Sequence, residues 1–358
     1  MKGVGVNLLS QTHYLDHLGV VCIIMGVPLL FTDYEQFELA KRFYPQLKAQ
    51  FIDFQEMTLP YLITHYDVLY TSDLWNRDDF HQRCVAAGLP PTERMRYVHC
   101  PHGFSDKGFY LQKSALEDVT LIYGQNMIDL LKACGVFDFL HQFVITGNYR
   151  LAYYRNHRPF HDSLVEKEVF SRFAKRQKTI LYAPTWLDLE QTTTFFDAHT
   201  AVIGALPDAY NLIVKLHPRL ELDDPVRYHQ ILSFYENKPN VIFLKDFPLV
   251  YPLLANVDLY LGDMSSIGYD FLAFDKPLFF LDKYARNPTT DREAYLFRCG
   301  KVITPDHYPQ LYTLIETHAE SEQVEKSRIR QEVYRYTFGE EKPFAQIKKE
   351  ILACLKQT

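Results

Sequence analysis

The sequence predicts an α/β protein built from two doubly wound parallel sheets in tandem. Short runs of β-forming residues alternate with helix-length mixtures of polar and apolar residues, the pattern of a parallel sheet covered by helices on both faces. The alternation stops at a polar, basic stretch and then begins again. At 358 residues the chain also exceeds the usual size of one domain.

In the first half the expected strands are residues 4–8, 28–31, 68–71, 97–100, 121–123 and 143–146. A polar break at 10–12 and a helix-length segment at 14–25 separate the first two. The polar stretches at 156–159 and 175–178 mark the linker. The second set of strands is expected at 179–183, 212–216, 241–244, 259–261, 278–281 and 301–303. From residue 320 the chain reads as helical and charged, breaks at Phe338-Gly339, and resumes with Phe344, Ile347, Ile351, Leu352 and Leu355 on one face. That face needs a partner surface. The expected organisation is an N-terminal domain over 1–158, a C-terminal domain over 159–335, and a last helix over 336–358 returning to the N-terminal domain.

Composition excludes several classes. With 47% hydrophobic and 23% charged residues the chain is an ordinary globular one, without a low-complexity tract. A formal charge of -6 and dispersed Lys and Arg argue against a long nucleic-acid partner. The six cysteines form no C-x-x-C pair and read as thiols of a reducing compartment, which favours the cytoplasm. The longest apolar run, 18–31, is too short to span a bilayer and contains Pro28, although an aromatic-rich surface leaves peripheral contact with the inner face of a membrane open.

Ligands of open α/β sheets sit beyond the carboxyl ends of strands, so the residues just after each strand carry the functional reading. Lys215-Leu216-His217-Pro218-Arg219 ends one strand abruptly: Pro218 fixes the backbone and three cationic or titratable donors suit a pyrophosphate. The alternative is a strand end whose histidine caps a loop. In Gly262-Asp263-Met264-Ser265-Ser266 a strand feeds a helix start, where two hydroxyls and unpaired backbone N–H groups make an anion site. There the alternative is a plain N-cap serine.

In the first half, His99-Cys100-Pro101-His102-Gly103 follows a strand. Successive residues of an extended chain point apart, which argues against a metal site there; His102 serves either as a functional imidazole or as the residue that orders the Gly103 turn. The loop Thr12-His13-Tyr14-Leu15-Asp16-His17 offers His13 or His17 as a base with Asp16 orienting it, unless Asp16 is a first-turn acid favoured by the helix dipole. Gly3-Val4-Gly5 lacks the third glycine of a dinucleotide fingerprint and is discarded.

Several motifs together carry a family resemblance. Residues 180–186, Lys215-Leu216-His217-Pro218, and Asp263-Met264-Ser265-Ser266 with Asp270-Phe271 and Lys276-Pro277 resemble, in order and spacing, the CDP-glycerol glycerophosphotransferase family of teichoic-acid polymerases. The resemblance reaches back to Pro101-His102-Gly103 and to Thr146-Gly147-Asn148-Tyr149-Arg150. It implies a GT-B fold, two Rossmann-like domains facing across a cleft, with the donor on the C-terminal one and neither cofactor nor metal required.

By the same resemblance, Lys215, His217, Arg219, Thr185, Asp263, Ser265, Ser266 and Asp270 form the donor phosphate site, and Lys245, Asp246 and Phe247 lie beside the base. His102 is the favoured general base, with His13 and Asp16 as the competing catalytic pair. Met264, Phe104 and Tyr149 depart from the family pattern, so the donor class is expected to hold while the acceptor differs. The expected activity is transfer of glycerol phosphate, or a related polyol phosphate, from a CDP-linked donor to a hydroxyl acceptor, an envelope glycan or a lipid-linked one, with release of CMP. A UDP-sugar glycosyltransferase or epimerase and a non-catalytic nucleotide-binding protein are the alternatives.

Overall fold

The structure, a computed structural model, describes residues 1–8, 12–73, 77–88 and 95–357. It divides into two compact units, Met1–Asn156 with Tyr336–Thr358, and His157–Arg335. Part of the expected polar break at 10–12 lies outside the described residues.

In the first unit, strands β1 (Gly3–Asn7), β2 (Leu29–Phe31), β3 (Ala49–Phe51), β4 (Val68–Thr71), β5 (Arg96–His99), β6 (Val119–Ile122) and β7 (Gln142–Ile145) form one sheet. Its order is β3-β2-β1-β4-β5-β6-β7, and every pairing is parallel. The connection leaves β1 in one direction for β2 and β3 and returns to its other side for β4, so the sheet reverses between β1 and β4. That is a topological switch point, where open sheets gather ligands. Val4, Val6, Leu30 and Leu69 pack one face of this sheet into a core.

Strand β3 was not among the expected strands. Ala49-Gln50-Phe51 is a three-residue edge strand with two exposed positions, so it shows neither an apolar run nor a strong alternation. The polar segment expected as a linker is helical over Arg158–Glu168, with Pro159 in the first turn where its missing N–H costs nothing. The helical stretch Thr12–Met25 carries a π-type turn over Leu15–Gly19, which adds one residue to a turn and re-aims the side chains around it.

In the second unit, β8 (Lys178–Ala183), β9 (Tyr210–Lys215), β10 (Val241–Leu244), β11 (Leu259–Gly262), β12 (Leu278–Leu281) and β13 (Lys301–Ile303) follow the order β10-β9-β8-β11-β12-β13, again all parallel. The switch point lies between β8 and β11. The strands are buried throughout their central positions, as sheets covered on both faces require. The chain then runs through a helix over Leu311–Phe338, whose end belongs to the first unit, and a last helix over Phe344–Gln357. The last helix buries Ile347, Ile351 and Leu355 against β7, β6 and the helix Val20–Met25. Both units have the Rossmann-like doubly wound form expected of a GT-B protein.

Candidate functional site

The second sheet carries its chemistry at the carboxyl ends of β8 to β11, and three contacts knit those ends together. Asp263, fully buried just after β11, accepts the Thr185 N–H that follows β8 at 2.7 Å. Its other oxygen accepts the N–H and hydroxyl of Thr194, at 2.9 and 3.0 Å. The carboxylate therefore fixes both loops at the switch point. Gly262 precedes it because a Cβ there would meet the buried Tyr260 hydroxyl.

Lys215 ends β9 with its stem buried, and its ammonium donates to the Phe247 carbonyl at 3.0 Å, tying the loop after β9 to the loop after β10. The Phe247 ring is buried, while Lys245 and Asp246 beside it are exposed. Lys245 pairs with Glu221, which raises its pKa. Pro218 stops β9 and opens a short helix over Arg219–Asp223. At that turn the half-buried His217 accepts the Arg219 backbone N–H on Nδ1 at 3.2 Å, which leaves its Nε2 as the donor in the neutral ring. The exposed Arg219 guanidinium lies 4.1 Å above the Trp186 ring of the loop after β8. Its outer nitrogen reaches Asp223 at 3.4 Å.

Ser265 and Ser266 are half-buried at the helix start after β11. Ser265 has the extended backbone of an N-cap, yet its side chain makes no capping bond; it reaches the Tyr260 hydroxyl instead. Asp270, one turn further, is buried and accepts the Tyr251 hydroxyl at 2.8 Å. Thr185, Lys215, His217, Arg219, Lys245, Asp246, Phe247, Asp263, Ser265 and Ser266 thus all sit at one edge of the sheet, with Asp270 directed into the helix packing behind it.

The first unit builds a histidine cluster at its own switch point. His13 and His102 lie with ring centroids 5.5 Å apart, and Tyr14 packs on His102 at 4.6 Å. The Tyr14 hydroxyl donates to Asp73, just past β4, at 3.0 Å. His17 is buried and hydrogen-bonds the Tyr123 hydroxyl at 2.8 Å through Nδ1. Because Tyr123 itself donates to the Pro101 carbonyl at 2.7 Å, that ring nitrogen carries the proton.

Burial lowers the pKa of His99 to about 3, with the nearby His102 acting in the same sense. The His102 value is lowered too, desolvation first, while a hydrogen bond with the Ser72 backbone pushes the other way. His102 is exposed, and its imidazole is neutral at pH 7. Asp16 is committed elsewhere. Its Oδ1 accepts the Tyr44 hydroxyl at 2.8 Å and its Oδ2 the Arg150 guanidinium at 2.7 and 2.8 Å, all buried. The pair locks the helix carrying His13 and His17 to the helix that starts at Tyr149.

Tyr14, Asp73, Trp186 and Thr194 were not singled out as site residues in the sequence. Asp73 and Trp186 follow strands β4 and β8 directly, which was the available signal; Tyr14 and Thr194 join through contacts that a single sequence does not display. Among the described residues no group of three His, Cys, Asp or Glu side chains is placed to hold a metal ion, and no helix is long and apolar enough to cross a membrane.

The family model of CDP-glycerol:poly(glycerophosphate) glycerophosphotransferase matches residues 141–340. The chain is 29% identical over 107 residues to the teichoic acid glycerol-phosphate primase of Bacillus subtilis, covering 30% of this chain and 26% of that one. It is 22% identical over 274 residues to the teichoic acid ribitol-phosphate polymerase TarK of Staphylococcus aureus, covering 68% and 49%. The matches thus span from about a quarter to about half of the length of these curated relatives. Among solved structures, the wall teichoic acid polymerase TagF superposes with a TM-score of 0.67 at 15% identity, over 99% of this chain and 89% of that one. Anabaena HepE, solved with UDP-glucose, superposes with a TM-score of 0.57 at 12% identity over the whole of both chains. At such identities the superpositions show the shared fold.

Proposed function

The chain belongs to the CDP-glycerol:poly(glycerophosphate) glycerophosphotransferase family, and from that premise we propose that it moves glycerol phosphate, or a related polyol phosphate, from a CDP-linked donor to a hydroxyl acceptor. The observation that carries the reading is the gathering of Lys215, His217, Arg219, Ser265 and Ser266 at the carboxyl edge of the second sheet, beside the loop after β8 that Asp263 braces.

In the proposed reaction an acceptor oxygen attacks the phosphorus that bears the polyol. The P–O bond to CMP breaks, and the acceptor proton passes to a neutral histidine. The leaving CMP keeps the bonding electron pair, and cationic and N–H donors stabilise the charge that builds on its phosphate. We assign His217, Arg219 and the Ser265-Ser266 turn to the diphosphate, with Thr185 at its edge. Lys215, Asp263 and Asp270 hold the loops that present these groups, and Lys245, Asp246 and Phe247 flank the cytosine.

His102 is the proposed base, because its ring is both neutral and open to solvent. His13, packed against it, is the neighbouring imidazole, and Asp16 positions their helix through Arg150. No cofactor takes part in this scheme. Six cysteines that form no disulfide support placing the chain in a reducing compartment, on the cytoplasmic side of a membrane that holds the acceptor.

Calorimetry with CDP-glycerol, CDP-ribitol and UDP-sugars tests the donor class. Binding of a CDP-linked polyol in preference to UDP-sugars is expected; failure of every cytidine diphosphate compound to bind would sink the reading.

A further inference from the structure

The second unit has another cavity, of about 500 Å³, formed by residues outside the loops after β8 to β11. Its walls are the amino end of β13, the turn before it, and one face of the helix Leu311–Phe338. Phe297, Val302 and Ile329 supply apolar floor, while Arg298, Lys301, His318 and Lys326 supply positive or titratable heads.

The charges in this cavity do not cancel. Glu322 lines it, but its carboxylate is held by Arg330 at 2.8 Å in a buried pair. That leaves Glu325 as the other carboxylate of a lining that holds Arg298, Lys301 and Lys326, of which Lys326 also acts on Glu322. Lys301 forms no ion pair or side-chain hydrogen bond with another described residue, and neither does the His318 ring. Among the described residues Arg298 has only the Tyr295 ring beneath its guanidinium, at 5.0 Å. Lys301 is thus a half-buried ammonium without a counter-charge among the described residues, which is costly to hold unless something else neutralises it.

The backbone is shaped for the arrangement as well. Gly300 lies so close to β12 that a Cβ would fall 2.3 Å from the Leu278 carbonyl oxygen. Only glycine lets the chain press onto the sheet there, between Arg298 and Lys301 in the sequence, both of which line the cavity.

We propose that this cavity is a second anion site, taking a small phosphate monoester or diester through Arg298, Lys301, Lys326 and His318. A phosphate offers the acceptor geometry that a guanidinium and two ammonium groups satisfy together, and the apolar floor accommodates the ester's carbon portion. The site is separate from the donor edge and does not depend on the donor assignment.

The test uses the full chain and two probes, inorganic phosphate and glycerol 3-phosphate, titrated at about 150 mM salt so that diffuse attraction is screened beyond ~8 Å. Arg219→Ala weakens any binding at the donor edge and should leave this event unchanged. Adding Lys301→Gln and Lys326→Gln should weaken it at least ~10-fold, the effect of losing two charge-assisted hydrogen bonds. Lys301→Glu alone, at a position with little to lose structurally, should remove it even if the combined variant folds poorly. Binding of either probe with this pattern supports the site, the two probes separating a requirement for the carbon portion from simple phosphate recognition. Absence of binding by both probes in Arg219→Ala, or affinity unchanged by Lys301→Glu, overturns it.

Discussion

Arg150 closes on Asp16 across 134 residues of sequence, with Nε 2.8 Å and Nη2 2.7 Å from the same carboxylate oxygen, while Tyr44 occupies the other. Both side chains are almost wholly shielded from water. The pair therefore fixes the histidine-bearing helix, and breaking one side leaves a bare charge behind. Arg150→Met or Asp16→Leu should each cost about 3–5 kcal/mol of stability, with the double variant recovering much of that loss. Denaturant unfolding measures it; single variants within ~0.5 kcal/mol of the parent would show that the ion pair carries no structural weight.

The stack of Arg219 on Trp186 holds a flexible cation in one plane in front of the second switch point. Replacing the indole with Ala should weaken CDP-linked donor binding about 2- to 5-fold, the share expected of an exposed cation–π contact worth ~0.5–1 kcal/mol. Trp186→Phe should keep most of the affinity. Equal donor Kd for the parent and Trp186→Ala would remove the positioning role.

Tyr14 contributes to His102 through its ring and to Asp73 through its hydroxyl. Tyr14→Phe keeps the ring and should change kcat/KM little, whereas Tyr14→Ala removes the ring packed on His102 and lessens its desolvation. The imidazole pKa then moves up toward its ordinary value, so the acid limb of the kcat/KM profile should shift to higher pH. A limb that stays in place while activity falls would indicate a purely structural effect.

Burial of the neutral His99 links stability to pH. Its folded pKa of about 3 lies below the unfolded value near 6.5, so the unfolded chain binds the extra proton between those limits. The stabilisation is complete above the unfolded pKa and is lost as pH falls toward the folded one. Between pH ~6.5 and ~5, before most carboxylates titrate, this histidine should contribute a slope that grows from about 0.7 toward about 1.4 kcal/mol per pH unit, and His99→Gln should remove that share. Denaturant midpoints across the interval provide the check, and an identical slope in the variant would contradict it.

The sequence exposed the two-sheet fold because nearly every strand is a compact apolar run ended by a punctuating residue: Pro218 after β9, Ser265 after β11. Strand β3 escaped because Ala49-Gln50-Phe51 is short, at an edge and mostly exposed, so burial leaves little imprint on it. The ends of strands also indicated where polar residues would collect. What a single sequence does not carry is which neighbour each polar group takes. Asp16 reads as a companion for the adjacent histidines until Arg150 arrives from another helix, and Asp263 reads as part of a phosphate loop until Thr185 and Thr194 fill its carboxylate. Such pairings depend on packing between elements distant along the chain, whereas strands depend on local pattern.

The proposal as a whole turns on phosphoryl transfer from a cytidine donor. The most direct measurement is chromatographic quantification of the nucleotide released when the chain meets CDP-glycerol and a glycerol-phosphate-terminated acceptor, with UDP-glucose in a parallel reaction. The account predicts CMP that depends on the acceptor and falls by roughly 100-fold in a folded His102→Asn variant. Release of UDP from UDP-glucose with no CMP from CDP-glycerol, or CMP release untouched by His102→Asn, would contradict it.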